Sequence, residues 1–245
     1  MAGLCWMAVM LVIVLSTENS LAAVNQNRLA NIVNGILREY RINSMFSLAV
    51  RVPDDQSREI NDILKQVFQS DPVEDVRNTL NRDEVYIGSR VVAARVLKRT
   101  EGADHAESRV VGYLDHLLKR RNKNDHDLLL FYVYASPCVE KCTNNKHPEN
   151  ILQKINHIQK WDSYAFVFSK IFKPRFGTPN TEEELSGALQ RLGSKIGLGN
   201  IFRCDGQDGK TQCISCSSNN QVTHACVSDR SGWQWKRRGL VQRLW

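Results

Sequence analysis

The 245-residue chain lacks the features of fibrous, low-complexity and membrane-spanning proteins. Its 14 Gly and 6 Pro are too few for a collagen-like or Pro-rich chain. The longest unbroken apolar stretch, residues 4–15, has twelve residues, whereas a membrane-spanning helix needs roughly 20. Apolar residues make up 42% and charged residues 24% of the chain, as in ordinary globular proteins. The chain is therefore expected to form one or two globular domains with a sizeable core.

Acidic residues are scarce relative to basic ones. The chain has 26 Asp and Glu against 33 Lys and Arg, which gives a net charge of +7. A basic protein of this kind suits an anionic partner, although charge alone does not identify one.

Charge is almost absent from the start of the chain, where Glu18 is the only charged side chain in the first 27 residues. The apolar stretch 4–15 followed by small residues at 20–23 predicts a signal peptide over residues 1–22. No Lys or Arg precedes the stretch, so a helix belonging to the core is the alternative interpretation. Signal removal would leave a secreted, extracellular protein with a net charge of +8, since one acid and no base would be lost.

Signal cleavage would also remove Cys5 and leave six cysteines. An even number of cysteines in an oxidising compartment usually indicates disulfides. The six form two groups with different spacing: a close pair, Cys138 and Cys142, and a quartet made of Cys204, Cys213, Cys216 and Cys226.

Apolar residues recur with alternating helical and strand periods from residue 25 to 203, which predicts a layered α/β domain. Residues 128–135 form a continuous apolar run, typical of a strand buried on both faces. Thr181 and Glu184 form a capping-box pattern that predicts the start of a helix. Residues 204–229 are predicted to form a small Cys-rich extension, and residues 230–245 a basic, Trp-rich tail.

Two short motifs carry the candidate chemistry: His105-Ala106-Glu107, and Pro137-Cys138 with a second cysteine at Cys142. Both motifs are expected to open helices, and residues four apart on a helix share a face. The helix dipole would also favour thiolates there. One imidazole and two thiolates make a three-ligand Zn²⁺ site whose open fourth position is typical of catalytic zinc. Glu107 would then move protons beside the activated water.

This pair of motifs, in this order, resembles the zinc-dependent cytidine deaminase superfamily. Within it the chain is most similar to the AID/APOBEC-like branch, in particular to the secreted AID/APOBEC-like deaminases of animals, over roughly residues 45–203. The resemblance implies a central mixed sheet flanked by helices, zinc at His105, Cys138 and Cys142, and Glu107 as the catalytic acid and base. It also implies conversion of cytosine to uracil in single-stranded DNA or RNA, in a role in immune defence.

The sequence departs from that branch at three places. Three residues separate Cys138 from Cys142, where two are usual. Ala135 occupies the position of a common Trp, and Tyr134 beside it becomes a candidate for contact with the substrate. Phe172, after the next strand, occupies the place of an aromatic residue that packs on the target base.

Other interpretations of the same residues remain open. Glu107 could form only a capping box with Asp104. Cys138 and Cys142 could form a disulfide, although positions four apart on a helix give poor disulfide geometry. The two cysteines could also close a structural zinc site with His147 and His157.

The Cys quartet is expected to form two disulfides within itself, with the pairing undetermined, and a second zinc site is the alternative. The tail after residue 229 has five basic residues, three Trp and no acid. That mixture fits single-stranded nucleic acid or an anionic membrane surface, or a solvated terminus. No obligate protein partner is inferred. A catalytically inert cationic protein that binds nucleic acid or microbial membranes is the alternative function.

Overall fold

The computed structural model describes residues 24–229 apart from 101, 123–124, 175–176 and 208–209. The predicted signal peptide, 1–22, and the basic tail, 230–245, lie outside the described residues. Within the described part of the chain, none of the helices combines the length and the apolar character needed to cross a membrane.

A seven-stranded mixed sheet forms the centre of the fold, in the order β2-β3-β1-β6-β7-β8-β9. Strands β6, β7 and β8 are parallel, whereas every other neighbouring pair is antiparallel. The strands are β1 (Phe46–Pro53), β2 (Tyr86–Ile87), β3 (Val91–Arg95), β6 (Asp127–Ala135), β7 (Ser163–Lys170), β8 (Ile201–Gln207) and β9 (Lys210–Ser215). Two small hairpins add β4 (Leu97–Lys98) with β5 (Ala103–Asp104), and β10 (Ser217–Ser218) with β11 (Gln221–Val222). The predicted α/β fold with a mixed central sheet is confirmed.

Helices cover both faces of this sheet. One face packs against α1 (Gln26–Tyr40), α2 (Ile60–Ser70) and α3 (Val73–Asn81). The other packs against α4 (Ala106–Val111), α5 (Leu114–Lys119), a 3₁₀ helix (Ile155–Lys160) and α6 (Glu182–Ile196). Two further 3₁₀ turns span Leu198–Asn200 and His224–Cys226.

The central position of strand β6 in the sheet explains why its sequence is apolar without a break. Alternate side chains point to opposite faces of a strand, so Phe131 and Val133 enter the core under α4–α6, whereas Leu130 and Tyr132 enter the core under α1–α3. Each face excludes water, and the prediction of a strand buried on both faces is confirmed.

Helix α6 begins as its capping box predicts. The Thr181 hydroxyl accepts the Glu184 backbone N–H at 3.2 Å, and the Glu184 carboxylate accepts the Thr181 N–H at 2.8 Å. Two donors that the helix itself leaves unpaired are thereby satisfied.

The structure agrees with one of the two helix starts predicted near the site. The helix expected at His105-Ala106-Glu107 begins at Ala106, with His105 at its N-cap, and ends at Gly112, whereas Asp104 belongs to β5 and pairs with Arg99 at 2.6 Å. The helix expected after Pro137 is a series of turns. The asparagines of 143–150 and Pro148 favour turns, since Asn side chains form hydrogen bonds with nearby backbone and Pro lacks an N–H.

The Cys-rich segment is part of the main fold. The predicted boundary between residues 203 and 204 falls inside β8, and β9 pairs with β8 as the last strand of the sheet. Disulfides join Cys204 to Cys213 and Cys216 to Cys226, which confirms two bridges within the quartet and supplies the pairing. All four cysteines are buried, one bridge under each face of the sheet.

Candidate metal centre and active site

Three side chains of different segments meet at the edge of the sheet where β6 and β7 end. His105 joins β5 to α4, and Cys138 and Cys142 lie on the turns that follow β6. The His105 Nδ1 atom lies 3.1 Å from the Cys142 Sγ and 3.5 Å from the Cys138 Sγ, and the two Sγ atoms are 3.2 Å apart. The structure therefore places together the three residues that the sequence predicts as metal ligands.

The donor set fits zinc in chemistry and in size. Two thiolates and one imidazole are preferred zinc ligands. With Zn–S near 2.3 Å and Zn–N near 2.0 Å, tetrahedral coordination places such ligand atoms about 3.4–3.8 Å apart. The observed separations of 3.1–3.5 Å approach this spacing, so one ion between the three atoms requires only small adjustments. Cys138 and Cys142 are 3% and 0% exposed, whereas the His105 side chain is 19% exposed and lies toward solvent.

Glu107 lies close to the three candidate metal ligands. Its carboxylate Oε1 accepts a hydrogen bond from the Cys142 thiol at 2.9 Å and lies 3.8 Å from the His105 Nδ1. Glu107 belongs to the first turn of α4, so its backbone is fixed relative to His105, the residue that precedes the helix. A buried carboxylate beside a candidate metal site is suited to exchanging protons with a bound water.

Turns, not a helix, hold the two cysteines. The Thr143 backbone N–H and hydroxyl both donate to the Cys138 carbonyl, at 3.2 and 3.0 Å. The Ile151 N–H donates to the Cys142 carbonyl at 2.9 Å. The expected support of these thiolates by a helix dipole is therefore wrong. The Cys142 backbone N–H, 3.3 Å from the Cys138 Sγ, provides a local donor instead.

The pKa values of these four side chains depend on one another, because hydrogen bonds join the four into one group. Burial alone would lower the pKa of His105, but hydrogen bonds to Cys138 and Glu107 raise it to about 10. Hydrogen bonding with Cys142 lowers the pKa of Cys138 to about 5. The same bond and burial raise the pKa of Cys142. Burial would raise the pKa of Glu107, yet His105 holds it below its ordinary value. A divalent metal would displace protons from such a group, so its binding is coupled to pH.

The alternative interpretations of these residues do not match the geometry. The two thiols are free, with no bond between Cys138 and Cys142. No side chain caps α4, so the Asp104–Glu107 capping box is absent. Among the described residues, the one candidate metal cluster contains neither His147 nor His157. His147 accepts the Glu149 N–H at 3.1 Å, and His157 pairs with Asp115 at 2.9 Å.

Comparison with known families agrees with this geometry. The family model described as Secreted Novel AID/APOBEC-like Deaminase 1 matches residues 26–230. The chain belongs to this family. The match includes β9 and both disulfides, so the Cys-rich segment lies within the region that the family shares. Searches of curated proteins and of solved structures gave no match.

The two residues expected to contact a substrate of this deaminase-like protein lie in different places. Phe172 lies beside the candidate metal ligands, with its ring centroid 6.3 Å from that of His105. Tyr134 is 38% exposed and shares its strand face with Tyr132, toward α1–α3. Glu107 belongs to α4, which packs against the opposite face of the sheet. Strand alternation therefore does not bring Tyr134 to the group.

Three residues that support the site were not predicted. The Glu149 carboxylate lies 3.5 Å from the His105 backbone N–H and 3.7 Å from the Lys141 ammonium, and that ammonium donates to the Ala103 carbonyl at 3.2 Å. Arg191 of α6 donates to the Thr143 carbonyl at 2.8 Å. These contacts tie the cysteine turns to β5 and α6. Each of these contacts joins residues that are distant in the sequence, so no local sequence pattern predicts it.

Proposed function

We propose that this protein is a secreted, zinc-dependent deaminase that hydrolyses the amine of a nucleobase, cytosine in single-stranded DNA or RNA. The observation that carries the proposal is the meeting of His105, Cys138 and Cys142 beside the buried carboxylate of Glu107. Membership of an AID/APOBEC-like deaminase family supports the reaction class and export from the cell. The two disulfides also fit an oxidising compartment. The resemblance favours a role in defence against foreign nucleic acid.

The metal would be held by the Nδ1 atom of His105 and by the Sγ atoms of Cys138 and Cys142. When bound, zinc supplies a Lewis acid that activates water and leaves one coordination position open. Burial of both thiols shields these ligands from bulk water. The half-buried His105 ring marks the side from which a substrate can enter.

Glu107 would carry the proton transfers. Water adds to the ring carbon that bears the amine, and ammonia leaves, so cytosine and water give uracil and ammonia. The Glu107 carboxylate accepts a proton from the water at Oε1 and returns it to the leaving amine. Its position in the first turn of α4, directly after His105, places that carboxylate beside the atoms that would bind the metal.

The Phe172 ring is the candidate surface for holding the base. It lies half-buried next to His105, and its backbone N–H donates to the Ser136 hydroxyl at 3.0 Å. That bond ties the loop after β7 to the residue that precedes Pro137. An aromatic ring fixed at this place can stack on a base that enters the site.

A deamination assay tests the proposal. Labelled DNA and RNA oligonucleotides, each with a single cytosine or a single adenine, are incubated with the zinc-loaded mature protein. We expect uracil to appear, and Glu107→Gln to abolish its formation while zinc content and thermal midpoint stay unchanged. Glu140→Gln is the matched control, because Glu140 is exposed and lies between the two cysteines in sequence.

Two results would contradict the proposal. Near-normal turnover by Glu107→Gln would show that this carboxylate is not the proton carrier. Absence of turnover on every substrate by a zinc-loaded, folded protein would favour the catalytically inert, cationic binding protein.

A further inference from the structure

A buried arginine holds segment 225–229 at the edge of the sheet that carries the candidate site. Arg203 of β8 is 5% exposed, and its guanidinium donates to the Ala225 carbonyl at 2.7 Å and to the Asp229 carboxylate at 2.7 Å. Arg203 pairs with Phe168 of β7, close to the end of that strand. Hydrogen bonds between ionised groups are among the strongest in proteins. The segment is therefore held against β8, near the point where β7 ends.

A disulfide and a turn fix the same segment from its other side. Cys226 is bonded to Cys216, and both are buried in the core under α6. The Ser228 backbone N–H donates to the His224 carbonyl at 2.9 Å. Asp229 directly follows this turn, so the disulfide, the turn and the buried arginine together determine its position.

The Asp229 carboxylate also contacts the loop that follows β7. One of its oxygens accepts from Arg203, and the other lies 3.3 Å from the Lys173 ammonium. Burial alone would raise the pKa of Asp229, but hydrogen bonds from Arg203 and Lys173 hold it below its ordinary value. The carboxylate is therefore ionised at neutral pH, and it joins a cation of β8 to a cation of the loop.

Three successive residues of this loop are held by three different parts of the protein. The Ile171 side chain is buried in the core under α4–α6. The Phe172 backbone N–H donates to the Ser136 hydroxyl at 3.0 Å, and Lys173 pairs with Asp229 at 3.3 Å. The Phe172 ring, which lies beside the candidate metal ligands, is thus placed between two held neighbours. Loss of either neighbour's contact would let the ring leave that place more often.

We propose that Asp229 is a positioning residue: through Lys173 it holds the Phe172 ring beside His105, so that the Cys-rich segment fixes the surface on which a base stacks. The effect on a base rests on the proposed function, whereas the contact with the loop does not. A ring that is held in place before binding loses less conformational freedom when a base stacks on it. Such stacking strengthens the bound substrate and the transition state alike, so its loss raises KM and leaves kcat nearly unchanged.

Amide hydrogen exchange tests the hold on the loop without any catalysis. The zinc-loaded mature protein and its Asp229→Asn and Lys173→Met variants are compared by mass spectrometry of the peptide that contains Phe172. Because the ion pair is largely exposed, we expect each substitution to make exchange in that peptide about two to five times faster, with the thermal midpoint unchanged. The double variant should exchange no faster than Asp229→Asn, because both substitutions remove the same contact with the loop.

Asp205→Asn is the matched control. The Asp205 carboxylate also lies near Arg203, at 3.8 Å, and it also pairs with a lysine, Lys170, at 2.7 Å. That lysine belongs to β7, where its backbone is held in register with Ala135. The control therefore removes an equivalent ion pair at the same edge, and we expect exchange of the Phe172 peptide to stay as in wild type.

Kinetics on an oligonucleotide with a single cytosine then test the effect on a substrate. We expect Asp229→Asn to raise KM about two- to fivefold and to change kcat by less than about twofold, whereas Asp205→Asn changes neither. In a Phe172→Ala background, Asp229→Asn should have no further effect on KM, because Asp229 acts only through that ring.

The outcomes separate this inference from the proposed function. Unchanged exchange of the Phe172 peptide in both single variants would overturn the inference, and so would equal acceleration by Asp205→Asn. Faster exchange with an unchanged KM would overturn the link between the loop and the base. Faster exchange in Asp229→Asn and Lys173→Met alone, in a protein without turnover on any substrate, would support the hold on the loop and contradict only the proposed function.

Discussion

Loss of the Cys216–Cys226 disulfide should destabilise the protein and loosen the segment that ends at Asp229. Both cysteines are essentially buried, at 0% and 1% exposure, within the core under α6. Between them lie only the two-residue strands of a small hairpin and part of a 3₁₀ turn. The bridge therefore supplies much of the order in a segment that ends at Asp229.

The expected cost follows from the loop that the bridge closes. The two cysteines are 10 positions apart. A closed loop of that length lowers the entropy of the unfolded chain by an amount equivalent to about 2.7 kcal/mol. Replacement of both cysteines by Ala also removes buried sulfur contacts, so we expect a total loss of about 3–4 kcal/mol. For a domain of this size that loss corresponds to a fall of roughly 6–16 °C in thermal midpoint.

The measurement is chemical denaturation of the zinc-loaded double variant Cys216→Ala/Cys226→Ala, combined with limited proteolysis. The matched control is Cys204→Ala/Cys213→Ala, which opens a loop of 9 positions between directly paired residues of β8 and β9. Both double variants lose a similar entropic term. We expect early cleavage within 216–229 in the first variant only, because the β8–β9 hydrogen bonds still hold the second. Equal protection of that segment in the two variants, or a loss below about 1 kcal/mol in the first, would refute the reasoning.

Three further predictions concern the metal, the support of its ligands and the turn between β2 and β3. The mature protein should contain about one zinc per chain by atomic emission, and Cys138→Ala should reduce this to near zero; undiminished zinc would place the metal elsewhere. Thr143→Val, which removes the hydroxyl bonded to the Cys138 carbonyl, should weaken zinc binding about 10-fold in a chelator competition while leaving the fold intact. Asp71 is fully buried and accepts hydrogen bonds from the Tyr86 hydroxyl of β2 and from two backbone N–H groups of the β2–β3 turn, so Asp71→Ala should cost about 3–5 kcal/mol in chemical denaturation. Gly88→Ala should also destabilise, because its Cβ would overlap the Asp71 carboxylate, and wild-type stability in both variants would contradict this role.

Much of the fold could be predicted because it depends on apolar patterns that are local in sequence. The run 128–135 predicts β6 from its composition, and the Thr181 pattern predicts where α6 starts. Helix α3 was missed, although Pro72 at its start and the acids of its first turn are recognisable helix signals. Strand β9 has a weaker signal, since polar residues dominate Lys210–Ser215 and its pairing with β8 provides most of its order.

The candidate site, like the fold, could be predicted from the sequence only in part. Ligand chemistry belongs to individual side chains, so His105, Cys138 and Cys142 could be identified from residue type and order alone. Their backbone was predicted wrongly as a helix, although the asparagines and Pro148 that follow the cysteines favour turns. The structure adds a contact that no local pattern predicts, since Arg191 donates to the Thr143 carbonyl from 48 positions further along the chain.

The same distinction applies to the position of Asp229 beside the candidate site. Asp229 lies 87 positions beyond Cys142 in the sequence, and nothing in that spacing connects it to the site. The parallel register of β6 and β7 pairs Ala135 with Lys170, so the chain after each strand emerges at one edge of the sheet. Arg203 on the next parallel strand then draws Asp229 to that edge. Three neighbouring strands thus place the cysteine turns, the Phe172 loop and Asp229 at one edge of the sheet, and it is the register of the strands, not the spacing in the sequence, that brings them together.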